Sequence, residues 1–403
     1  MKTIPVTLRS IIDLGLGGED WQTFVDHYEE RFDALRIDGF SFDPVSINYT
    51  FRQLLSKVNA TVLPTYVDPE SEGYELPLGE IEGVSNNIPT QKLFYSVNRV
   101  IVREQMQLAQ KFGSMALNDE MGEIIFGLLD EGTEKLIQSF ENALNHQRHQ
   151  IVSTGQFTIN ATNNPRGIKG LTIGFGLPAA NIDTFGSSSI TGTPATGKWW
   201  TNAGHTTEGT TADPIGYMQT YVKYIRRTGH YEGPLALEIS QDLWDDMLTH
   251  SAVTKKIGYI YNPTAASDAA ATATATNLLD EAKKEIIRKA IKVDEIRIRD
   301  TYAYVSAPDT TGANAPDLVT TQIVNFSPTN ISFVPTGKLG GIQGVQPISM
   351  GYKPENVAYA MGKRLLIETE DIPRTHSINV NGEMAQLCVP NAIRQMFIAT
   401  VTV

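Results

Sequence analysis

The pattern of apolar positions is most regular between residues 118 and 150, where apolar side chains recur at steps of three and four. This period predicts an amphipathic α-helix with one buried stripe. At about 1.5 Å per residue the helix would be roughly 50 Å long. Asn118 is a good N-cap, and His146, Arg148 and His149 would place positive charge at the negative end of the helix dipole. We expect a long strut that lies across a sheet.

Two extended runs, at 60–66 and 74–81, precede this helix and predict a long hairpin around an Asp-Pro-containing turn. The hairpin carries six carboxylates and no Lys or Arg among them: Asp68, Glu70, Glu72, Glu75, Glu80 and Glu82. One interpretation is a solvated acidic loop. The other is a projecting hairpin that docks on a basic patch of another subunit, because a hairpin with few apolar side chains is only marginally stable alone. The pattern leaves both open.

The segment 213–335 alternates helix and strand patterns and is predicted to form a separate α/β lobe. Asp213 and Ser240 are suited to cap two of its helices. A tract of Ala, Thr, Ser and Asp at 262–276 predicts a mobile loop. The residues after 335 have strand character, and the segment 91–111 mixes strand and helix periods, so its structure is left open.

Composition narrows the class of protein. A chain of 403 residues exceeds the usual size of one domain, and 41% apolar residues are enough for real cores. The charged fraction of 19% is low, as at oligomer interfaces. The net charge of -12 argues against a protein that grips nucleic acid over a broad surface. The only cysteine, Cys388, excludes a disulfide within the chain, and no run reaches the length of a membrane span, so we expect a protein soluble in the cytoplasm when made.

Signatures of catalysis are weak. The chain contains no P-loop, no GxSxG and no HExxH motif. His146 and His149 would share one helix face and could hold a metal, but their position near the predicted helix end explains them without an ion. Cys388 has no CxxC partner, and Trp199-Trp200 is more typical of a core or an interface than of a stacking platform. We predict no catalytic residue, no metal and no cofactor, and therefore no enzyme.

From about residue 91 onward the chain resembles the major capsid protein E family of tailed phages, the lambda-type head protein. The resemblance rests on the order and spacing of several passages: LFYSVNRVIVREQMQLAQ, then NDEMGEIIFGLLDEGTEKLIQSFENALNHQRHQIVSTGQFTI, Lys198-Trp199-Trp200, ALEISQDLWDDML, VDEIRIRDTYAYV and ISFVPTGKLGGIQGV. The first 50 residues do not match the family pattern, and the tract 262–276 looks like an insertion.

The resemblance implies an α+β chain with the HK97-like phage capsid fold. Its parts would be an N-terminal arm, an extended E-loop hairpin, a peripheral domain with a long spine helix at 118–150, an axial domain, and return strands of the peripheral domain; in this sequence they correspond to 1–50, 51–90, 91–212, 213–335 and 336–403. The six carboxylates of the hairpin would be intersubunit contacts.

The implied function is that of a major capsid protein, a structural protein of the virion. It would self-assemble into hexamers and pentamers of an icosahedral shell that encloses double-stranded DNA without sequence-specific binding. A scaffolding protein or protease, a portal and a decoration protein would be its partners, and assembly would take place in the bacterial host cytoplasm with no membrane involved. A net negative chain suits such a container, because a basic lining would bind the packaged genome.

Two alternatives remain. One is an encapsulin-like nanocompartment, which would enclose cargo enzymes with a shell of the same fold. The other is a β-rich carbohydrate-binding protein or hydrolase that uses the Gly/Thr-rich region 163–209.

Overall fold

The structure is a computed structural model, and it describes residues 21–23, 25–26, 38–56, 81–97, 104, 120–165, 167–185, 198–202, 204–209, 211–229, 231–308, 318–349, 356–372 and 377–401. The labelled helices are α1 Glu120–Thr154, α2 Pro214–Arg227, α3 Gln241–Thr249, α4 Ser251–Tyr261, α5 Asp268–Thr276 and α6 Asp280–Ile291. The strands are β1 Phe40–Phe42, β2 Thr50–Ser56, β3 Ile81–Asn87, β4 Thr90–Val97, β5 Gln156–Ile159, β6 Leu171–Gly174, β7 Ile182–Thr184, β8 Leu235–Ser240, β9 Glu295–Arg299, β10 Tyr302–Pro308, β11 Leu318–Val324, β12 Asn330–Pro335, β13 Gly340–Val345, β14 Val357–Ala360, β15 Leu365–Ile372, β16 Ser377–Val389 and β17 Phe397–Thr400. The predicted α+β class is confirmed.

The long helix α1 has 35 residues and continues to Thr154, so its predicted end at residue 150 is wrong. It stops at Gly155, which adopts a φ of 75° and donates its N–H to the Ile151 carbonyl at 2.8 Å. Glycine takes this left-handed position after a helix at little cost. His146, Arg148 and His149 therefore lie inside the helix, and the last turn carries no basic residue. The proposed cap Asn118 lies outside the described residues.

The chain divides into two compact units. The first comprises 1–51, 86–145 and 341–388. Its sheet has six strands in the order β1-β13-β16-β15-β14, with β4 also paired to β16. A long strand β16 of 13 residues pairs with β13, β15 and β4 in this sheet, in line with the strand character predicted after residue 335.

The first part of α1 packs across this sheet, so the predicted strut is confirmed. A Cβ added at Gly382 of β16 would lie 2.6 Å from the Phe140 ring and 3.1 Å from Leu136. Gly132 is in equally close contact with the ring of Tyr95 on β4, whose hydroxyl donates to the Leu129 carbonyl at 3.0 Å. Two glycines, one on the helix and one on the sheet, let the two surfaces approach this closely.

The second unit comprises 52–85, 146–340 and 389–403. Its sheet has five strands in the order β7-β17-β12-β8-β9. Strand β12 runs antiparallel to both β17 and β8, while β7 is parallel to β17 and β9 is parallel to β8. Every residue of β8 is buried, which requires cover on both faces of the sheet.

Each face of this sheet has its own cover. Leu237 and Ile239 belong to the apolar core that the helices α2, α3, α4 and α6 complete. On the other face, the last turns of α1 receive two hydrogen bonds from β12. Ser332 donates its hydroxyl to the Val152 carbonyl at 2.8 Å, and the Asn330 amide donates to the Ser153 carbonyl at 2.7 Å. These bonds satisfy carbonyls that a helix end leaves without intrahelical partners.

Helices α2 and α3 begin where the sequence predicts. Asp213 accepts from Gly216 N at 3.0 Å and caps α2, and Ser240 accepts from Leu243 N at 3.3 Å and caps α3. Both cap predictions are confirmed.

The tract at 262–276 is not a loop, and that prediction is wrong. Its second half is helix α5, which Ser267 caps through the Ala270 N–H. Ala271 and Ala275 are buried, and Gly258 of α4 lies against the Ala271 backbone with no room for a side chain. Small residues at this crossing bring two helix backbones together, so an Ala/Thr tract packs as a helix.

The segment 91–111, which the sequence left open, begins with strand β4. Three further pairs of strands form two-stranded sheets: β2–β3, β5–β6 and β10–β11. Among the residues described, no helix is both long enough and apolar enough to cross a membrane. The boundary between the two compact units falls inside α1, and the predicted division into five segments stays a prediction.

Candidate assembly surfaces

The long hairpin is described only at its base, where β2 and β3 pair with each other. The predicted run at 60–66 and residues 74–80 of the second run lie outside the described residues, as do Asp68, Glu70, Glu72, Glu75 and Glu80, whereas Ile81 begins β3. Glu82 lies in β3, but its side chain is outside the description. The contact role of all six carboxylates therefore stays a prediction.

Strand β4 presents apolar side chains on both of its faces. Leu93 and Phe94 are consecutive, so they point to opposite sides of the strand, and both are exposed, Phe94 to 66%. One edge of β4 pairs with β16, and in the described part of the chain no other strand pairs with it. An exposed apolar edge strand is a site for association with another chain.

A second exposed apolar surface lies on the β10–β11 hairpin. Tyr302 and Tyr304 share one face, and Val324 lies directly opposite Tyr302 in the register. All three are exposed, Tyr304 to 69%. Asp300 and Asp242 raise the pKa of Tyr302, because their negative charges disfavour the phenolate. We call these five residues the tyrosine face: aromatic and apolar at its centre, acidic at its rim.

A basic surface lies on helices α2 and α6, which the Gln219 amide joins by donating to the Ala290 carbonyl at 2.8 Å. Helix α2 contains no carboxylate. Its cations are Lys223, Arg226 and Arg227, and none of them forms an ion pair within the described residues. On α6 and its C-cap the cations are Lys283, Lys284, Arg288, Lys289 and Lys292. We call α2 and α6 the basic helix pair.

A buried ion cluster holds the end of α1 on the second sheet. Glu238 of β8 is 0% exposed and accepts two hydrogen bonds from Arg148 of α1, at 2.7 and 2.5 Å. Arg299 donates to it at 3.1 Å and Arg297 at 3.4 Å. Burial alone would raise the pKa of Glu238, but the guanidinium groups of Arg148 and Arg299 hold it well below its usual range.

Sequence reasoning missed this cluster because 90 residues separate Arg148 from Glu238. A usable signal was present: Glu238 lies in the middle of the strand LALEIS, where a buried charge needs a partner. The position of Arg148 near the predicted helix end instead suggests a role at the helix dipole.

A cleft of about 550 Å³ lies at the start of α4. Glu208 accepts hydrogen bonds there from the Ser251 N–H at 2.6 Å and from the Ser251 hydroxyl. His250 contacts the Trp199 carbonyl through Nε2 at 3.1 Å, and its Nδ1 accepts from Ala252 N. Both ring nitrogens are thus used by the backbone, and Glu208 and His250 together cap a helix. His250 is therefore not free to act as a base for Ser251.

The other residues considered for chemistry lie in surroundings that give them a structural role. His146 Nδ1 lies 2.9 Å from Asn325 Oδ1, and burial lowers the pKa of His146. Cys388 is buried, with Sγ 3.9 Å from the Leu144 carbonyl. Trp199 and Trp200 are buried, as expected of core residues. Within the described residues, no three His, Cys, Asp or Glu side chains form a group that could hold a metal ion.

Comparisons with known proteins place the following structures beside this one. No family model matches the chain, and no curated protein matches it. It is similar to a phage-related protein from Bordetella bronchiseptica RB50 (13% identity, TM-score 0.44), with 94% of this chain and 95% of that chain covered. It is similar to the procapsid of satellite phage P4, which includes the size determination protein (9% identity, TM-score 0.43), with 94% of this chain and 98% of that chain covered. It is also similar to the mature capsid of bacteriophage PhiM1 (10% identity, TM-score 0.42), with 91% of this chain and 86% of that chain covered.

Proposed function

We propose that this chain is a major capsid protein with the HK97-like fold, which self-assembles into hexamers and pentamers of an icosahedral shell around double-stranded DNA. Its role is structural and not enzymatic. The observation that carries the proposal is the order of elements around α1: a hairpin base, a helix of 35 residues packed on a sheet, an α/β segment and return strands. The sequence resemblance implies the same order.

The proposed parts keep the boundaries read from the sequence. They are an N-terminal arm at 1–50, an E-loop at 51–90, a peripheral domain at 91–212 with α1 as its spine, an axial domain at 213–335 and return strands at 336–403. Exposed apolar surfaces support a subunit that is completed by neighbours: Leu93 and Phe94 of β4 and the tyrosine face are exposed in the single chain.

The proposed partners follow from the shell. The chain binds copies of itself, a scaffolding protein or protease, a portal and a decoration protein, and it encloses DNA without reading its sequence. A net charge of -12 supports enclosure without tight binding, because phosphates and the shell repel each other. The proposed location is the virion, after assembly in the host cytoplasm.

Within this proposal the acidic hairpin docks on an adjacent subunit. Reversing Glu70, Glu72 and Glu75 to Lys should impair shell formation and leave the single chain folded. A triple variant that assembles with wild-type yield would contradict the docking role.

Electron microscopy of the purified protein tests the function directly. Closed shells or capsomer rings are expected. Shells that form in a cell and contain enzymes instead of DNA would favour the encapsulin-like alternative. A monomer by light scattering that hydrolyses or binds a sugar would favour the β-rich carbohydrate protein.

A further inference from the structure

We infer that the tyrosine face of one copy of this chain docks on the basic helix pair of the next copy, in a head-to-tail contact. The inference deepens the proposed self-assembly and rests on it. Both surfaces belong to the second compact unit, and each is described on its own.

The tyrosine face has the composition of an interface centre without a partner. A two-stranded sheet is marginally stable in water, yet β10 and β11 pair with each other alone in the described structure. Two tyrosines and a valine on one face stay exposed. Tyrosine is enriched in interface hot spots, where its ring is buried and its hydroxyl keeps a polar contact.

The basic helix pair has a surplus of positive charge in a chain with a net charge of -12. Helices α2 and α6, with Lys292, carry eight cations and three carboxylates. Glu285 is already engaged by Arg288 and Lys289, and the nearby Asp294 accepts from Leu235 N at 2.9 Å. The cations of α2 are therefore available to carboxylates of another molecule.

The two surfaces complement each other chemically. The guanidinium group of arginine stacks on tyrosine rings and binds carboxylates in its own plane. Arg226 and Arg227 can therefore contact both the tyrosine rings and the carboxylates of the tyrosine face. Asp242 and Asp300 supply the opposite charges at its rim. Because the two surfaces differ, the contact is heterologous, and a heterologous contact builds a closed ring when the rotation between neighbouring copies closes.

Nucleic acid is the other class of occupant for the basic helix pair. A second copy is favoured because the same chain carries both the basic helix pair and a surface of matching acidic and aromatic residues. Nucleic acid would leave that acidic, aromatic surface exposed, because phosphates and carboxylates repel each other. DNA binding by the basic helix pair is instead an outcome of the test below.

The test reverses the charge of each surface separately and then of both together. One variant carries Lys223→Glu and Arg227→Glu, a second carries Asp242→Lys and Asp300→Lys, and a third carries all four substitutions. All four positions are exposed, so the single chain should fold in each case, which circular dichroism and thermal unfolding check. Assembly is followed by sedimentation velocity and electron microscopy.

Each two-site variant should associate at least tenfold more weakly than the wild type, because like charges then face each other. The four-site variant, which has the wild-type net charge, should assemble again. An equimolar mixture of the two two-site variants should also form rings, since each variant's altered surface matches the altered surface of the other. Tyr304→Ala should weaken association about tenfold, a change of about 1.4 kcal/mol.

Two results would overturn the contact. One is wild-type assembly of both two-site variants. The other is loss of assembly that neither the four-site variant nor the mixture restores. If Lys223→Glu with Arg227→Glu assembles normally but loses binding to a double-stranded DNA probe, the basic helix pair binds nucleic acid instead. Wild-type rings that never close into shells would contradict the proposed function but support the contact. Shells formed by every variant would support the proposed function but contradict the contact.

Discussion

The two parts of α1 are held in different ways, although they belong to one continuous helix. In the first unit the helix packs by shape: Leu136 and Phe140 lie on Gly382, and Gly132 admits the Tyr95 ring. In the second unit its last turns are held by buried polar groups. Arg148 is paired with Glu238, and the carbonyls of the final turn accept from β12.

These two kinds of contact respond differently to change. Where close apolar packing holds a helix, each methyl group that is added or removed lowers the free energy of unfolding by a limited amount. A buried ion pair is near neutral when intact but strongly unfavourable when one partner is missing, because the other charge stays buried. We therefore expect the second part of α1 to be the more sensitive to single substitutions.

The largest effect is expected from Glu238→Leu. It leaves the guanidinium of Arg148, 2% exposed, without its carboxylate, at a cost of about 3–5 kcal/mol in the free energy of unfolding. Unfolding in urea measures it when followed by tryptophan fluorescence, because three of the four tryptophans, Trp199, Trp200 and Trp244, lie in the same unit. Adding Arg148→Met should recover much of the loss. A Glu238→Leu chain as stable as the wild type would show that the ion pair is not what holds this part of the helix.

A smaller effect is expected from Gly132→Ala in the other part of the helix. The new methyl group meets the Tyr95 ring, and overpacking of this kind typically costs about 1–3 kcal/mol. Hydrogen exchange of the α1 amides measures the loss locally. The double variant with Tyr95→Leu, which makes room, should be more stable than Gly132→Ala alone; if it is less stable, the clash is not the cause.

The third prediction concerns pH. Burial lowers the pKa of His146 below its ordinary value of 6.5, so the unfolded chain binds a proton more readily than the folded one. The stability that depends on neutral His146 is complete above pH 6.5 and falls as the pH drops below it. Glu238 has a depressed pKa, so its contribution is present above its ordinary value of 4.5 and falls at still lower pH.

Urea unfolding at pH 7.5, 5.5 and 4 checks this order. His146→Gln should flatten the loss between pH 7.5 and 5.5 and leave the later one in place. An unchanged loss between pH 7.5 and 5.5 would assign that window to other groups.

The smallest effect is expected from Gly127→Ala, the matched control for Gly132. Gly127 lies in the same helix and is exposed, and an added Cβ meets nothing within 4 Å. Alanine should raise the free energy of unfolding by about 0.5–1 kcal/mol, because glycine loses more backbone freedom in a helix. The same substitution five residues apart in α1 is thus expected to have opposite signs, and equal signs would refute the packing argument.

The sequence predicts local features well in this chain. The period of α1, the caps Asp213 and Ser240, and the burial of Trp199-Trp200 all follow from neighbours along the chain. What failed depends on distant partners. The predicted helix end at 150 depends on reading His146, Arg148 and His149 as a basic terminus, whereas Arg148 is bound by a carboxylate 90 residues away.

The Ala/Thr tract failed for a related reason. Its cap Ser267 and its pair Ala271 and Ala275, four residues apart, are local signs of a helix, but composition outweighed them. The backbone of Gly258 approaches helix α5 closely, which requires small side chains there, and this contact is visible only in three dimensions.

Strand β17 has a consequence for how the protein is made. It lies between β7 and β12, and its partners at Ile182–Thr184 are synthesised more than 200 residues earlier. A ribosome that has reached residue 390 has therefore released four strands of this sheet and not the one that joins β7 to the rest. The sheet closes only after residues 397–400 emerge, a long-range pairing that is slow to form. Chains cut short before that point lack a central strand of this sheet.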